Sequence, residues 1–185
     1  MSIIKANTFQ DRGGNTILSS DGSGTITLGS SFPNNTPAFL AYVSSNQNLT
    51  DSTTTKVDID TTQIDTHSAF DTGNNRFTIP SGQAGTYHLF AQANIGNANG
   101  SADNLRDHYL YIYKNGSGIA FSDHNPNSSW WAQNTSYVSM IADLSVGDYI
   151  EMYAYINVGS GDGRIVSIDG GKIKSFLYGY KLIGA

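Results

Sequence analysis

Side chains able to do acid–base, nucleophilic or metal chemistry are few in this sequence and widely scattered. The four histidines, His67, His88, His108 and His124, lie in four different segments, without the i, i+4 spacing that sets two imidazoles beside one metal. His88 and His108 fall within stretches that read as strands, where a structural role is expected. Cysteine is absent, which removes disulfides and thiolate ligands alike. Asp58-Ile-Asp60 and Gly159-Ser-Gly-Asp162-Gly carry oxygen ligands of the kind calcium takes. Aspartate and glycine are also what tight turns demand, and turn chemistry is the reading. The second run is no phosphate loop, because no lysine follows within it. Catalysis needs acids, bases or nucleophiles that converge on one point. None converges here, so the sequence points away from an enzyme, with no cofactor and no metal expected.

Recognition chemistry is better represented. Trp130-Trp131 follows Asp123-His-Asn-Pro-Asn-Ser-Ser129, a loop-like stretch. Exposed rings stack on the apolar faces of sugars or on protein surfaces while neighbouring amides and carboxylates fix hydroxyls. Asp123, His124, Asn125, Trp130 and Trp131 are therefore candidate ligand contacts, with the Asn97–Asp103 loop as a neighbour. The competing reading is that the tryptophans merely cover one end of a sandwich. The net charge is −5 and no basic stripe occurs, so a nucleic-acid backbone is not an expected partner. No apolar run approaches the about 18 residues of a membrane span, so no membrane insertion is expected. Met1-Ser-Ile-Ile-Lys lacks the features of a signal peptide.

The elements that must position these residues are strands. Glu151 is the single glutamate among 15 acidic residues, and good helix formers are scarce, so the fold class is all-β. The chain is organised around Phe77–Ile95. A short strand from Arg76 to Ile79 is stopped by Pro80, Ser81-Gly82 and Gly85 supply a turn, and a longer strand runs from Thr86 to Ile95. Along it Tyr87, Leu89, Ala91, Ala93 and Ile95 share one face. Further strands are expected at 38–43, 55–59, 63–70, 106–114, 118–122, 136–144, 149–158, 164–168 and 176–183. Ten or so short strands with regular turns mean a sandwich or barrel.

Tyrosine placement adds a second signal. Tyr109, Tyr111 and Tyr113 share a face, as do Tyr149, Tyr153 and Tyr155, and as do Tyr178 and Tyr180, each opposite an apolar face. A sandwich strand needs only one buried face. A second, tyrosine-built face suits an interface, so these eight residues are expected to line the axis of a homotrimer.

Residues 1–36 differ from the rest. Ile3, Ile4, Phe9, Ile17, Leu18, Ile26 and Leu28 are spread among Gly- and Ser-rich turns. Two extended pieces, Thr16–Ser19 and Thr25–Leu28, are predicted, without a continuous apolar face. Such a segment has too little apolar surface to offset its ordering entropy alone. It is expected to be ordered against another chain or another copy of itself and to act as an anchor. The domain organisation is thus an extended N-terminal anchoring segment, 1–36, and a globular domain, 37–185.

The globular part resembles the C1q-like domain of the C1q and tumour necrosis factor superfamily. The segments that carry the resemblance are Pro37-Ala-Phe-Leu-Ala-Tyr-Val43, Phe70-Asp-Thr-Gly-Asn-Asn-Arg-Phe77-Thr-Ile-Pro80 and Gly85-Thr-Tyr87-His-Leu-Phe90. They continue with Tyr113-Lys-Asn-Gly116, Leu144-Ser-Val-Gly147-Asp148-Tyr-Ile-Glu-Met and Phe176-Leu-Tyr-Gly179-Tyr-Lys-Leu-Ile. The resemblance implies a ten-stranded jelly roll that assembles as a trimer. Residues 1–32, by composition, are similar to the leaders of tailed-phage fibre and other virion proteins. Together these imply a non-enzymatic, trimeric phage virion structural protein located in the virion, in a tail-fibre and host-attachment role or as capsid decoration. Its partners would be other virion proteins through the leader and a host surface glycan or protein. The alternative is a secreted or cell-surface lectin-like adhesin. The missing signal peptide and the missing Gly-X-Y stalk weigh against it.

Overall fold

Strand-favouring residues in period-two alternation give strands throughout. In the computed structural model, which describes residues 6–29, 35–98, 105–125 and 131–183, no described residue is helical. Two compact units meet at the Asn34–Asn35 bond.

The N-terminal unit is an antiparallel meander of β1 (Thr8–Gln10), β2 (Thr16–Ser20) and β3 (Ile26–Leu28). Its two turns are built by aspartates. The Asp11 carboxylate accepts from the Gly13 and Asn15 amides at 2.8 and 2.9 Å. That of Asp21 accepts from the Ser23 and Thr25 amides at 2.8 and 3.1 Å, and the Ser23 side chain first, with the Ser23 amide next, lowers its pKa to about 2. The extended pieces fall where the sequence puts them, with β1 as an addition. One expectation is overturned. Phe9 pairs with Leu18 and Leu18 with Leu28, so the apolar residues do form a continuous row. Register aligns them, and spacing along the chain does not reveal it. Ile3 and Ile4 lie outside the described residues.

The second unit contains β4 (Ala38–Tyr42), β5 (Gln47–Leu49), β6 (Thr55–Lys56), β7 (Thr61–Asp65), β8 (Phe70–Asp71), β9 (Arg76–Thr78) and β10 (Gly85–Asn97). It continues with β11 (Leu105–Lys114), β12 (Ser117–His124), β13 (Gln133–Leu144), β14 (Tyr149–Val158), β15 (Gly163–Val166), β16 (Ile168–Asp169), β17 (Lys172–Ile173) and β18 (Phe176–Lys181). One sheet runs β7-β4-β18-β10-β13, and the other β8-β9-β14-β11-β12. These ten strands are the sandwich. The short strands β15 and β5 extend the first sheet beside the end of β10, β6 lies along β14, and β16–β17 is a small hairpin.

The core sits between the sheets. Phe39 stacks on Phe77 with ring centroids 4.1 Å apart and meets Phe70 at 5.6 Å. Tyr87 is wholly buried, donates to the Gln83 carbonyl at 2.6 Å, and has its phenol pushed up to about 12 by burial. Gly179 lies between these layers. A Cβ there would be 2.9 Å from Phe39 and from Leu89, which explains a glycine between Tyr178 and Tyr180. The β11–β12 hairpin turns on Asn115-Gly116, both at positive φ. Asn115 bonds Asp148 at 2.7 Å and accepts from the Tyr149 amide at 2.9 Å. Lys114 pairs with the same Asp148 at 2.8 Å. Two of the segments that carry the family resemblance therefore meet in space.

Phe77→Ala removes a fully buried ring from the centre of this stack. It should cost about 3–5 kcal/mol, read by urea denaturation; a loss below about 1 kcal/mol would contradict this packing.

Candidate functional site

Each sheet turns an aromatic face outward, because every strand with its apolar set inward points the alternate residues away. On the first sheet, Phe90 of β10 stacks with Tyr178 at 5.1 Å, Phe176 at 5.9 Å and Tyr137 at 6.4 Å, with interplanar angles between 5° and 19°. His88 lies 5.3 Å from Tyr180 and 5.9 Å from Tyr178, and its Nε2 is 3.0 Å from the Ser139 hydroxyl. Ile141 of β13, opposite His88, is exposed. Among the described residues the centre of this face holds no carboxylate, amine or guanidinium.

The second sheet carries Tyr109, Tyr111, Tyr113, Tyr153 and Tyr155 with Phe121. Tyr109 faces Tyr155 at 5.2 Å, Tyr113 stacks on Tyr153 at 4.1 Å, and Phe121 lies 5.7 Å from Tyr111. Charges border this face. Lys56 pairs with the largely buried Glu151, and the Arg76 guanidinium lies over the Tyr149 ring at 4.7 Å. Asp107 is the main influence raising the Tyr109 phenol, whereas burial raises those of Tyr111 and Tyr153. The eight tyrosines expected around one axis are thus not brought together. Tyr178 and Tyr180 are on one exterior, and Tyr109, Tyr111, Tyr113, Tyr149, Tyr153 and Tyr155 are on the opposite one. Strand alternation shows that a residue faces outward; which exterior it reaches depends on the sheet its strand joins.

A polar cavity of about 270 Å³ opens where the edge strands β12 and β13 approach each other, lined by Ser122, Asp123, His124, Thr135, Ser136 and Tyr137. Thr135 accepts a hydrogen bond from the Asn94 amide at 2.9 Å. The His124 ring lies 5.1 Å from Trp131, stacked, and 5.3 Å from His108, its cross-strand partner. His108 is fully buried, and neither ring nitrogen has a hydrogen-bond partner among the described residues. Burial first, and His124 second, push its pKa down to about 4.

Of the expected contacts, Asp123 and His124 line this cavity, Trp131 stacks behind His124, and Asn125 is exposed beyond the strand. Trp130 and most of the 97–103 loop lie outside the described residues; Asn97 itself is buried in β10. Ser122, Thr135, Ser136 and Tyr137 escaped sequence reasoning, because the cavity forms where the edges of two different sheets approach, and alternation along each strand does not show which sheet that strand joins. The candidate calcium carboxylates serve loops instead. Asp60 accepts from the Ser44 amide and hydroxyl at 2.9 and 2.6 Å, and Asp162 from the Asp51 amide at 3.3 Å. Among the described residues no three His, Cys, Asp or Glu side chains cluster as a metal site.

No protein-family model matches the chain, and no curated protein matches it. Solved structures do. Murine APRIL aligns over 78% of this chain and 98% of its own, with a TM-score of 0.55 at 14% identity. The Eiger tumour necrosis factor of S. frugiperda aligns over 80% and 93%, with 0.56 at 13%. The globular domain of zebrafish complement 1qA protein aligns over 79% and 97%, with 0.52 at 11%. The fold is a jelly-roll sandwich of the C1q and tumour necrosis factor type.

Acid should act through His108. Its folded pKa of about 4 lies below the ordinary 6.5, so from pH 6.5 down to 4 the unfolded chain binds a proton that the folded chain refuses. Stability is complete above that window and falls by about 3 kcal/mol across it. Urea denaturation at pH 7 and pH 4.5 should show the loss, and His108→Leu should reduce it. An equal loss in the variant would assign the acid sensitivity elsewhere.

Proposed function

We propose that this protein is a non-enzymatic, homotrimeric virion structural protein, with the jelly roll displayed as a head and the N-terminal segment joined to other virion proteins. The observation that carries the trimer is the outer face of the first sheet, where Phe90, Phe176, Tyr137 and Tyr178 stack and His88 links Tyr178 to Tyr180. Aromatic, charge-depleted patches are what interface cores are made of. Covering the second sheet would mean dehydrating the ion pairs and carboxylates at its border, which costs more than covering neutral rings. The threefold axis therefore runs along the first sheet, with Tyr178 and Tyr180 at it and the Tyr109–Tyr155 face outside. The virion setting is supported by the Gly-, Ser- and Asp-rich leader, whose composition resembles that of fibre proteins.

The β12–β13 cavity supports a recognition role for the head. Its hydroxyls, the Asp123 carboxylate and the Trp131 ring stacked on His124 are the groups that hold a sugar of a host surface. Trimerisation presents three copies, and three weak sites can gain about 10² to 10⁴ in avidity.

Sedimentation at micromolar concentration should give a trimer, and mass spectrometry should find the chain in purified particles. Phe90→Asp or Tyr178→Asp should dissociate the trimer, whereas Tyr111→Asp should leave it assembled. A monomeric wild type, or dissociation by Tyr111→Asp alone, would refute this assignment. Loss of glycan binding by Trp131→Ala, at unchanged melting temperature, tests the recognition role.

A further inference from the structure

The N-terminal sheet has two unlike faces and only one layer. Phe9, Leu18 and Leu28 are direct cross-strand partners and form one row, and Ile26, two residues before Leu28, joins them. Thr8, Ser19 and Thr27 form the matching row on the other side. A sheet so divided needs a second layer over its apolar side. Among the described residues of the unit there is none: Phe9, Ile26 and Leu28 are 56%, 63% and 57% exposed.

Size decides what can cover this face. One phenylalanine and three aliphatic side chains offer on the order of 500 Å². A stable interface between free partners takes about 800 Å² from each. The row is thus too small to hold an untethered partner, yet it gathers Phe9, Leu18, Ile26 and Leu28 on one side, with Ile17 of β2 on the other. It can be held by something already delivered at high local concentration, and short tethers supply that at about the millimolar level. Three leaders attached to one trimeric head are in this situation. Charge permits the match as well. The ionic groups of the described unit, Asp11, Arg12 and Asp21, are in the turns and absent from the row, so identical faces meet without like-charge repulsion.

We propose that the Phe9–Leu18–Leu28 face is covered by the same face of the other copies, three sheets closing around a common axis with their polar sides outward. This rests on the trimeric reading of the head. It also deepens the anchoring role: contacts to other virion proteins then fall to the polar side, the turns and the open edges, and the apolar row is spent on self-assembly.

The cysteine-free sequence makes the test direct, since a single introduced thiol can only bridge between copies. In the full chain, Leu18→Cys should give a cross-linked dimer with a short bis-maleimide, while Thr27→Cys, on the polar side, should label quickly with a monofunctional maleimide and not cross-link. Phe9→Cys, at the end of the same row, repeats the measurement should Leu18→Cys perturb the sheet. A sedimentation run on each sample separates the two failures. A trimer in which Leu18→Cys and Phe9→Cys both stay uncross-linked and label as fast as Thr27→Cys overturns the inference and leaves the trimer standing. A monomer overturns both.

Discussion

Everything in the head depends on one layer of apolar side chains held between two sheets, and β10 is the strand that fixes it. β10 pairs with β13 from Gly85 to Gly96 on one side, and with β18 and then β15 on the other. Its five alternate residues Tyr87, Leu89, Ala91, Ala93 and Ile95 are wholly buried. Because the side-chain period is two, committing these five inward sends His88, Phe90 and Gln92 outward, and every paired strand inherits the division. A slip of one residue would bury His88 and Gln92 in place of leucine and alanine. Such a slip carries the cost of dehydrating polar groups along the whole strand, so the register has no close competitor.

The two exteriors follow from that alternation, and they differ in what surrounds the rings. On the first sheet the rings lie nearly parallel around Phe90, without charge among them. On the second, tyrosines are bordered by Lys56–Glu151, by Arg76 over Tyr149 and by Asp107. A neutral aromatic surface gains from losing water, whereas a surface edged with satisfied charges loses hydration it must replace. That difference is the physical ground on which the proposed trimer contact rests. It also puts the β12–β13 cavity at the open side edge of the sandwich, between the two exteriors.

The N-terminal unit obeys the same rule with half the material. Three strands give a sheet with an apolar row on one side, but among the described residues of the unit no second sheet covers it. Its turns are locally satisfied by Asp11 and Asp21, so the meander is specified by short-range hydrogen bonds. Its cohesion depends on what covers the row of Phe9, Leu18 and Leu28. The two units therefore illustrate two outcomes of one pattern: burial within a chain where two layers exist, and an exposed apolar row where one layer is described.

By itself the sequence determined what is local or periodic. The corner at Pro80, the inward set of β10 and the outward tyrosines are all legible, since each depends on residue type and a period of two. The Pro37, Phe77, Gly85-Thr-Tyr87 and Gly179 segments carried the jelly-roll resemblance, because they mark the turns and close approaches that the fold requires. What only the tertiary structure decided is which sheet each strand joins and which residues become neighbours there. That choice separates Tyr178 and Tyr180 from the other six tyrosines, brings Thr135 and Tyr137 beside Asp123 and His124, and lines up Phe9, Leu18 and Leu28. Alternation states which side of its own strand a residue takes; strand pairing and register, set by burying the whole core at once, state what it meets there.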